Sequence, residues 1–159
     1  MKDIFWSEKT EFDVTNRAQR PQSAASDKNN IVETTNNRVY YYSEVSRPKI
    51  LVLNKSLKNL SDNLINQAQL LSLDDPAQIY LHINSFGGSV FAGLSAVDYI
   101  KSSDVPVTTI VEGCAASAAT LMSCVGAHRQ MRSSAFMLIH QISSGLWGKY
   151  EELKDDMEN

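Results

Sequence analysis

The sequence of 159 residues has few side chains that bind metal ions or form disulfides. Its two cysteines, Cys114 and Cys124, lack the spacing of a CxxC pair, and its three histidines are scattered along the chain. We therefore expect no metal site and no cofactor, and we predict that both cysteines pack as small hydrophobic residues.

Long apolar runs and an excess of positive charge are also missing. No apolar stretch approaches the roughly 20 residues that a membrane-spanning helix needs. The net charge of −3 gives no reason to expect nucleic acid or an anionic membrane as a partner. The first residues, MKDIFWSEKTEFD, are acidic and lack the basic start and apolar stretch of a signal peptide. These features favour a cytoplasmic protein.

Length and composition indicate one folded domain. A chain of this length with 43% hydrophobic residues can bury one sizeable core. Residues 1–30 are polar and contain Pro21 and an SAASDKNN run, so we predict a flexible arm there. The folded domain is then expected to cover residues 31–159.

Strand and helix patterns alternate along this domain. Asn36-Asn37 is a turn signal between VETT and RVYYYSEV and predicts a β-hairpin. The run ILVL at 50–53 predicts a short buried strand, and leucines at helical spacing from Leu57 onward predict a helix that ends before Asp74. Further strands are predicted at 79–84, 107–111 and 135–139, and further helices at 90–102 and 115–125. This order predicts an α/β fold of stacked β–β–α units around a mostly parallel sheet.

One serine lies where a predicted strand gives way to a helix. Residues 107–111 (VTTIV) are β-branched, Glu112 and Gly113 interrupt them, and residues 115–125 are small and apolar. Ser117 is therefore expected in the first turn of a helix, near unpaired N–H groups and the positive end of the helix dipole. This place suits a nucleophile whose reaction generates an oxyanion. It also suits a plain helix cap, which is the commoner role of serine there.

Two further motifs occupy equivalent places at the ends of strands. Gly87-Gly88 follows the strand IYLHIN, and His140 follows the apolar strand AFMLI. Each alone has a simpler explanation, as an ordinary turn or as a hydrogen-bonded core histidine. However, parallel sheets build their sites where strands end. A nucleophile, a base and a glycine turn with free N–H groups are the parts that acyl transfer needs.

These motifs carry a family resemblance. The INSFGG turn, the GCAAS segment and the MLIHQ segment resemble, in the same order, those of the proteolytic subunit of the Clp (caseinolytic) serine protease family. The resemblance extends over residues 50–158. It implies the fold which that family shares with the crotonases.

The resemblance also implies roles for individual residues and for partners. Ser117 would be the nucleophile and His140 the general base, and the backbone N–H groups of Gly88 and Ala118 would form the oxyanion hole. The substrate would be a peptide or an unfolded polypeptide. The family works as heptameric rings with an AAA+ unfoldase ATPase, so both a homo-oligomer and that partner are expected.

The sequence departs from the family pattern at several places. Phe86 replaces a proline, Ala118-Ala119 replaces a larger residue and a glycine, and the segment between Ser117 and His140 is slightly shortened. The family's triad aspartate lies several tens of residues beyond the histidine, and no residue here matches it. Asp155 and Asp156 belong to a charged tail and are expected to be surface residues. We accordingly expect a truncated C-terminal handle, the segment that joins two rings in the family.

Three functions remain open on these grounds. The first is a serine endopeptidase of the Clp type. The second is a catalytically weak or inactive structural subunit with the same fold, which the missing aspartate favours. The third is an acyl-CoA enzyme of the crotonase fold, which would use a similar pair of N–H groups to hold a thioester enolate. The pair of Ser117 and His140 favours the first two, because crotonase chemistry does not need it.

Overall fold

Six strands and three helices alternate along residues 31–141, the part of the chain that this computed structural model describes. The elements in chain order are β1 (Ile31–Thr35), β2 (Arg38–Tyr42), α1 (Arg47–Leu70), β3 (Ile79–Ser85), α2 (Val90–Lys101), β4 (Val107–Ala116), α3 (Ala118–Cys124), β5 (His128–Met131) and β6 (Phe136–Leu138). The predicted arm at 1–30 and the predicted handle and charged tail lie outside the described residues.

The strands form one sheet in the order β1-β2-β3-β4-β5, and β6 pairs with β4 beyond the end of β5. Strands β1 and β2 are antiparallel and joined at Asn36-Asn37, which confirms the predicted hairpin. All other pairs are parallel. The prediction of an α/β fold around a mostly parallel sheet is therefore confirmed.

Alternation along β2 and β3 separates the two faces of the sheet. Every second side chain of these strands is completely buried, whereas the residues between them are aromatic or polar. The completely buried residues of the two strands are Val39, Tyr41, Ile79, Leu81 and Ile83. The same core cluster includes residues of α1, α2 and α3, so the helices cover this face.

Helix α1 begins earlier than the sequence predicts, and the predicted strand at 50–53 is wrong. Those residues form its first turns, which start beside Pro48, a residue that the first turn of a helix tolerates well. Ile50 and Leu53 are buried at the same spacing as the later leucines, whereas Leu51 is 55% exposed. Four successive apolar residues fit a buried strand or a helix equally well, and here the continuing helical period decides.

Strand β4 is longer than predicted. Glu112 and Gly113 lie inside it instead of ending it, and Ala115 and Ala116 belong to the strand and not to the following helix. Residues 128–131, for which the sequence predicts no strand, form β5 through parallel backbone pairing with the first part of β4.

The two cysteines differ in exposure. Cys114 is buried as predicted, and this burial raises the pKa of its thiol. Cys124 is exposed, so the prediction that both pack in the core is wrong for this residue. None of the three helices in residues 31–141 has both the length and the apolar character to cross a membrane.

The first turns of α1 give a direct test of helix against strand. Leu53→Ala should lower the free energy of unfolding by about 2–5 kcal/mol, because Leu53 is fully buried and truncation leaves a cavity. Leu51→Ala should change it by less than about 0.5 kcal/mol, because Leu51 faces outward. Urea denaturation measures both values. Equal losses would contradict the helix, since residues 51 and 53 share a face only in a strand.

Candidate active site

A cavity of about 400 Å³ lies where β4 and β6 end and α2 and α3 begin. All four residues predicted for the site line it: Ser117, His140, Gly88 and Ala118. The other lining residues are Val90, Leu94, Thr120, Leu121 and Ile139. Most of these are apolar and form an aliphatic wall. Ser117 adds a hydroxyl group to the lining of the cavity, and His140 adds an imidazole.

Ser117 lies in a sharp turn between β4 and α3. Its φ of 52° and ψ of −126° are strained for a residue with a side chain, typically by about 1–3 kcal/mol. The sequence places it inside the first helical turn, but α3 begins one residue later, at Ala118. Its side chain makes no capping hydrogen bond. The cap interpretation is therefore not supported, and the turn matches the strained strand-to-helix geometry known for nucleophiles.

Gly87 allows the turn after β3 to lie directly against Ser117. Its φ is +96°, and a Cβ atom there would lie 2.6 Å from the Ala116 carbonyl oxygen and 2.7 Å from the Ser117 Cβ. Real Cβ atoms do not approach other atoms so closely. The lack of a side chain at Gly87 is therefore what permits this close approach.

Gly88 is held from one side by Val45, in the segment before α1. The Val45 N–H donates to the Gly87 carbonyl (2.8 Å), and the Val45 carbonyl accepts from the Ser89 N–H (2.7 Å). Gly88 lies between these two hydrogen bonds. In a parallel bridge of this kind, the N–H and carbonyl of the residue in that place point away from the partner strand. The Gly88 N–H therefore faces the edge on which β4 ends. The φ of Gly88 is +143°, and a Cβ atom at this position would lie 2.4 Å from the Val45 carbonyl oxygen. Only glycine fits here.

The hydroxyl of Ser85 supports the same turn. It is buried and accepts a hydrogen bond from the Gly87 N–H at 3.1 Å. Together with the Val45 bonds, this contact holds the backbone on both sides of Gly88, so the direction of its N–H is set before any ligand binds.

His140 follows β6, and the pairing of β6 with β4 sets its distance from Ser117 along the sheet. Ala116 pairs with Leu138, and the Ser117 N–H donates to the Leu138 carbonyl at 2.8 Å. The His140 ring is exposed, and its Nδ1 donates to the Gln141 carbonyl at 2.7 Å. Because a carbonyl can only accept, Nδ1 carries the proton and Nε2 stays available as the basic nitrogen. No carboxylate of residues 31–141 lines this cavity.

Sequence reasoning missed a polar cluster on the other face of the sheet, centred on Glu112. Its carboxylate accepts hydrogen bonds from the Tyr42 hydroxyl (2.7 Å), His82 Nδ1 (2.8 Å) and the Arg132 guanidinium (3.0 and 3.2 Å). The His82 ring is buried and stacks on Tyr40 at 4.6 Å. The only local signal is a charged residue directly after a β-branched run, a pattern that also indicates the end of a strand.

The charge of this cluster follows from its contacts. Partial burial alone would raise the pKa of Glu112, but the hydrogen bonds from Tyr42, His82 and Arg132 outweigh it and lower the pKa below its usual value. Burial and then the hydrogen bond to Glu112 raise the pKa of Tyr42 to about 12. Glu112 is therefore ionised and Tyr42 is a phenol at neutral pH.

The family of the chain follows from comparison with known proteins. A profile described as Clp protease matches residues 33–159. The chain belongs to the Clp protease family. It is 38% identical over 111 residues to the ATP-dependent Clp protease proteolytic subunit of Streptococcus suis, covering 67% of this chain and 57% of the relative. The corresponding subunit of Streptococcus mutans is 42% identical over 113 residues, with 67% and 57% covered.

A third relative supports the family, and a solved structure supports the fold. The Leuconostoc citreum subunit of the same name is 37% identical over 124 residues, covering 74% of this chain and 62% of its own length. The solved structure of a ClpP1 N165D mutant from Listeria monocytogenes shares the fold, with a TM-score of 0.59, 24% identity, and 77% and 64% of the two chains covered. The chain thus spans only 57–62% of the length of these curated relatives.

The strained turn at Ser117 predicts an unusual order of stability. Ser117→Gly should unfold with a free energy about 1 kcal/mol higher than Ser117→Ala, because glycine adopts positive φ without strain. Urea denaturation of the two variants measures the difference. The same pair at Ser133, an exposed loop residue without positive φ, serves as the control and should not favour glycine. A Ser117→Gly variant less stable than Ser117→Ala would contradict the turn geometry.

Proposed function

We propose that this chain is the proteolytic subunit of a Clp-type serine endopeptidase, with Ser117 as the nucleophile and His140 as the general base. The observation that carries the proposal is the common cavity of Ser117, His140, Gly88 and Ala118 at the ends of parallel strands. Membership of the Clp protease family supports this activity over the crotonase alternative.

The first chemical step follows from the protonation of His140. Nε2 takes the proton of the Ser117 hydroxyl as Oγ attacks the carbonyl carbon of the scissile peptide. The same imidazole then returns this proton to the leaving amine, and the acyl group stays on Oγ as an ester. Water, deprotonated by His140 in turn, attacks this ester and releases the second product.

The negative charge of each tetrahedral intermediate falls on the former carbonyl oxygen. We assign its stabilisation to the N–H groups of Gly88 and Ala118. Ala118 is the first residue of α3, so its N–H has no acceptor within the helix. The Val45 pairing turns the Gly88 N–H away from β2 and toward the same edge. Removing one such donor typically costs about 10²–10³ in turnover.

The Gln141 carbonyl takes part in this mechanism by orienting the imidazole. It fixes the tautomer that leaves Nε2 basic, which is one of the two tasks of a triad acid. A neutral carbonyl stabilises the imidazolium form less than a carboxylate does. Among residues 31–141, the contact to the Gln141 carbonyl therefore performs the orienting task of a triad acid and not its charge-stabilising task.

We further propose that the substrate is a peptide or an unfolded polypeptide and that the chain works in heptameric rings with an AAA+ unfoldase. Family membership supports these partners. Large apolar side chains on the described surface also favour association, among them Phe91 on α2, 80% exposed, and Leu70 on α1, 84% exposed. The cytoplasmic location expected from the sequence stays a prediction.

A serine-directed fluorophosphonate probe tests the nucleophile. The wild-type chain should be labelled once, at Ser117, and Ser117→Ala should lose both labelling and cleavage of a fluorogenic peptide with an unchanged far-UV circular dichroism spectrum. Ser133→Ala removes an exposed hydroxyl and should label like the wild type. His140→Ala should label much more slowly, because Oγ then lacks a base.

The same experiment separates the alternatives. Absence of labelling in a folded wild-type chain would contradict the proposal and favour a non-catalytic subunit. Saturable binding of a CoA thioester without labelling would favour the crotonase-type enzyme instead.

A further inference from the structure

Strand β4 contains an irregularity close to Ser117. Ile83 pairs with Val111, and Ser85 pairs with Ala115. The second pair lies two residues farther along β3 but four residues farther along β4. Two extra residues of β4 are thus inserted opposite β3, which defines a bulge at residues 112–114. Gly113 within it has a φ of +76° and lies against the side chain of Asn84. Bulges of this type redirect a strand and the side chains that follow.

The bulge is also where β4 changes its second partner. Thr108 to Val111, before the bulge, pair with β5, and from the last bulge residue onward Cys114 to Ala116 pair with β6. Strand β6 leads to His140, and its Leu138 carbonyl holds the Ser117 N–H. The conformation of the bulge therefore sets the register that brings the nucleophile and the base to one cavity.

Glu112 ties this bulge to three neighbouring segments. Its carboxylate accepts from Tyr42 at the end of β2, from His82 in β3 and from Arg132 just after β5. The Arg132 backbone N–H also donates to the Val111 carbonyl, at 3.0 Å. The Glu112 side chain is 18% exposed, so most of its hydrogen-bonding capacity is met by protein groups.

The buried histidine fixes the sense of these hydrogen bonds. Arg38 can only donate, and its guanidinium lies 3.0 Å from His82 Nε2, so this nitrogen is the acceptor. Nδ1 then carries the proton and donates it to Glu112. Each of the three partners therefore donates to the carboxylate. A neutral group in its place would weaken these bonds, because hydrogen bonds to a charged group are the stronger ones.

We propose that Glu112 is a positioning residue for the nucleophile: its carboxylate holds the β4 bulge in the register that places Ser117 beside β6 and His140. The inference about catalysis rests on the proposed peptidase function, whereas the inference about the bulge does not. Glu112 does not line the cavity, so it acts through the backbone and not on the substrate.

The test compares Glu112→Gln with Glu33→Gln, an exposed glutamate of β1. Glutamine has nearly the same shape, but it is neutral and keeps only one acceptor oxygen for the three partners of the carboxylate. Labelling by the fluorophosphonate should slow between about tenfold and about a hundredfold in Glu112→Gln, because small displacements of a reacting group cost this much. The loss should fall on the rate constant of reaction and not on the affinity for the probe. Glu33→Gln should match the wild type.

Hydrogen exchange gives a readout that does not depend on catalysis. The Ser117 amide, bonded to Leu138, should exchange about tenfold faster in Glu112→Gln, in line with the loss of one charged hydrogen bond. The Tyr80 amide, bonded to Asn37 at the far end of β3, should be unaffected. The wild-type chain could fail to label while Glu112→Gln still shows the faster exchange at Ser117. That result would refute the peptidase function and support the positioning role.

Two milder variants keep the test decisive if Glu112→Gln does not fold. Glu112→Asp keeps the charge and both acceptor oxygens, and Tyr42→Phe removes one donor alone. Each should fall between the wild type and a tenfold loss in labelling, with faster exchange at Ser117. Unchanged exchange at Ser117 and unchanged labelling in the folded variants would overturn the proposal.

Discussion

The pairing of β4 on both of its edges is the constraint on which the site depends. One edge pairs with β3 before and after the bulge, and the other passes from β5 to β6 at the bulge. This exchange of partners brings the ends of β3, β4 and β6 to one cavity, and each end supplies a different chemical group. Parallel sheets concentrate sites at such ends because all strands finish on the same edge.

Close backbone approach is the second requirement, and it explains why two glycines follow β3. Gly87 leaves room for the Ser117 turn, and Gly88 leaves room for Val45. The groups that we assign to oxyanion binding are main-chain amides, and other main-chain groups hold them in place. Phe86, which replaces the proline common in the family, is 82% exposed, so this replacement puts no bulk into the core.

Local patterns predicted the features that local forces determine. The Asn36-Asn37 turn and the strand that begins at Ile79 follow from the preferences of neighbouring residues, and the structure has both where the sequence predicts. The strand predicted at 50–53 was wrong because four successive apolar residues carry no period of their own. The period only emerges when Ile50 and Leu53 are joined to the leucines of α1.

Features that depend on distant partners could not be predicted in this way. The sequence HRQM of β5 has no apolar alternation and is a strand only because its backbone pairs with β4. The bulge in β4 exists only relative to β3, so the local pattern at Glu112 indicates a strand end. The contacts of its carboxylate come from residues 20 to 70 positions away in sequence, and no local pattern contains them.

A crystal structure of the chain after reaction with a fluorophosphonate tests the central claim most directly. The account predicts phosphorus bonded to Ser117 Oγ and a phosphonyl oxygen about 3 Å from the amide nitrogens of both Gly88 and Ala118. It also predicts that His140 Nε2 lies on the side of the departing group. A phosphonyl oxygen that points away from these two amides, or an unmodified Ser117 beside a labelled residue elsewhere, would contradict it.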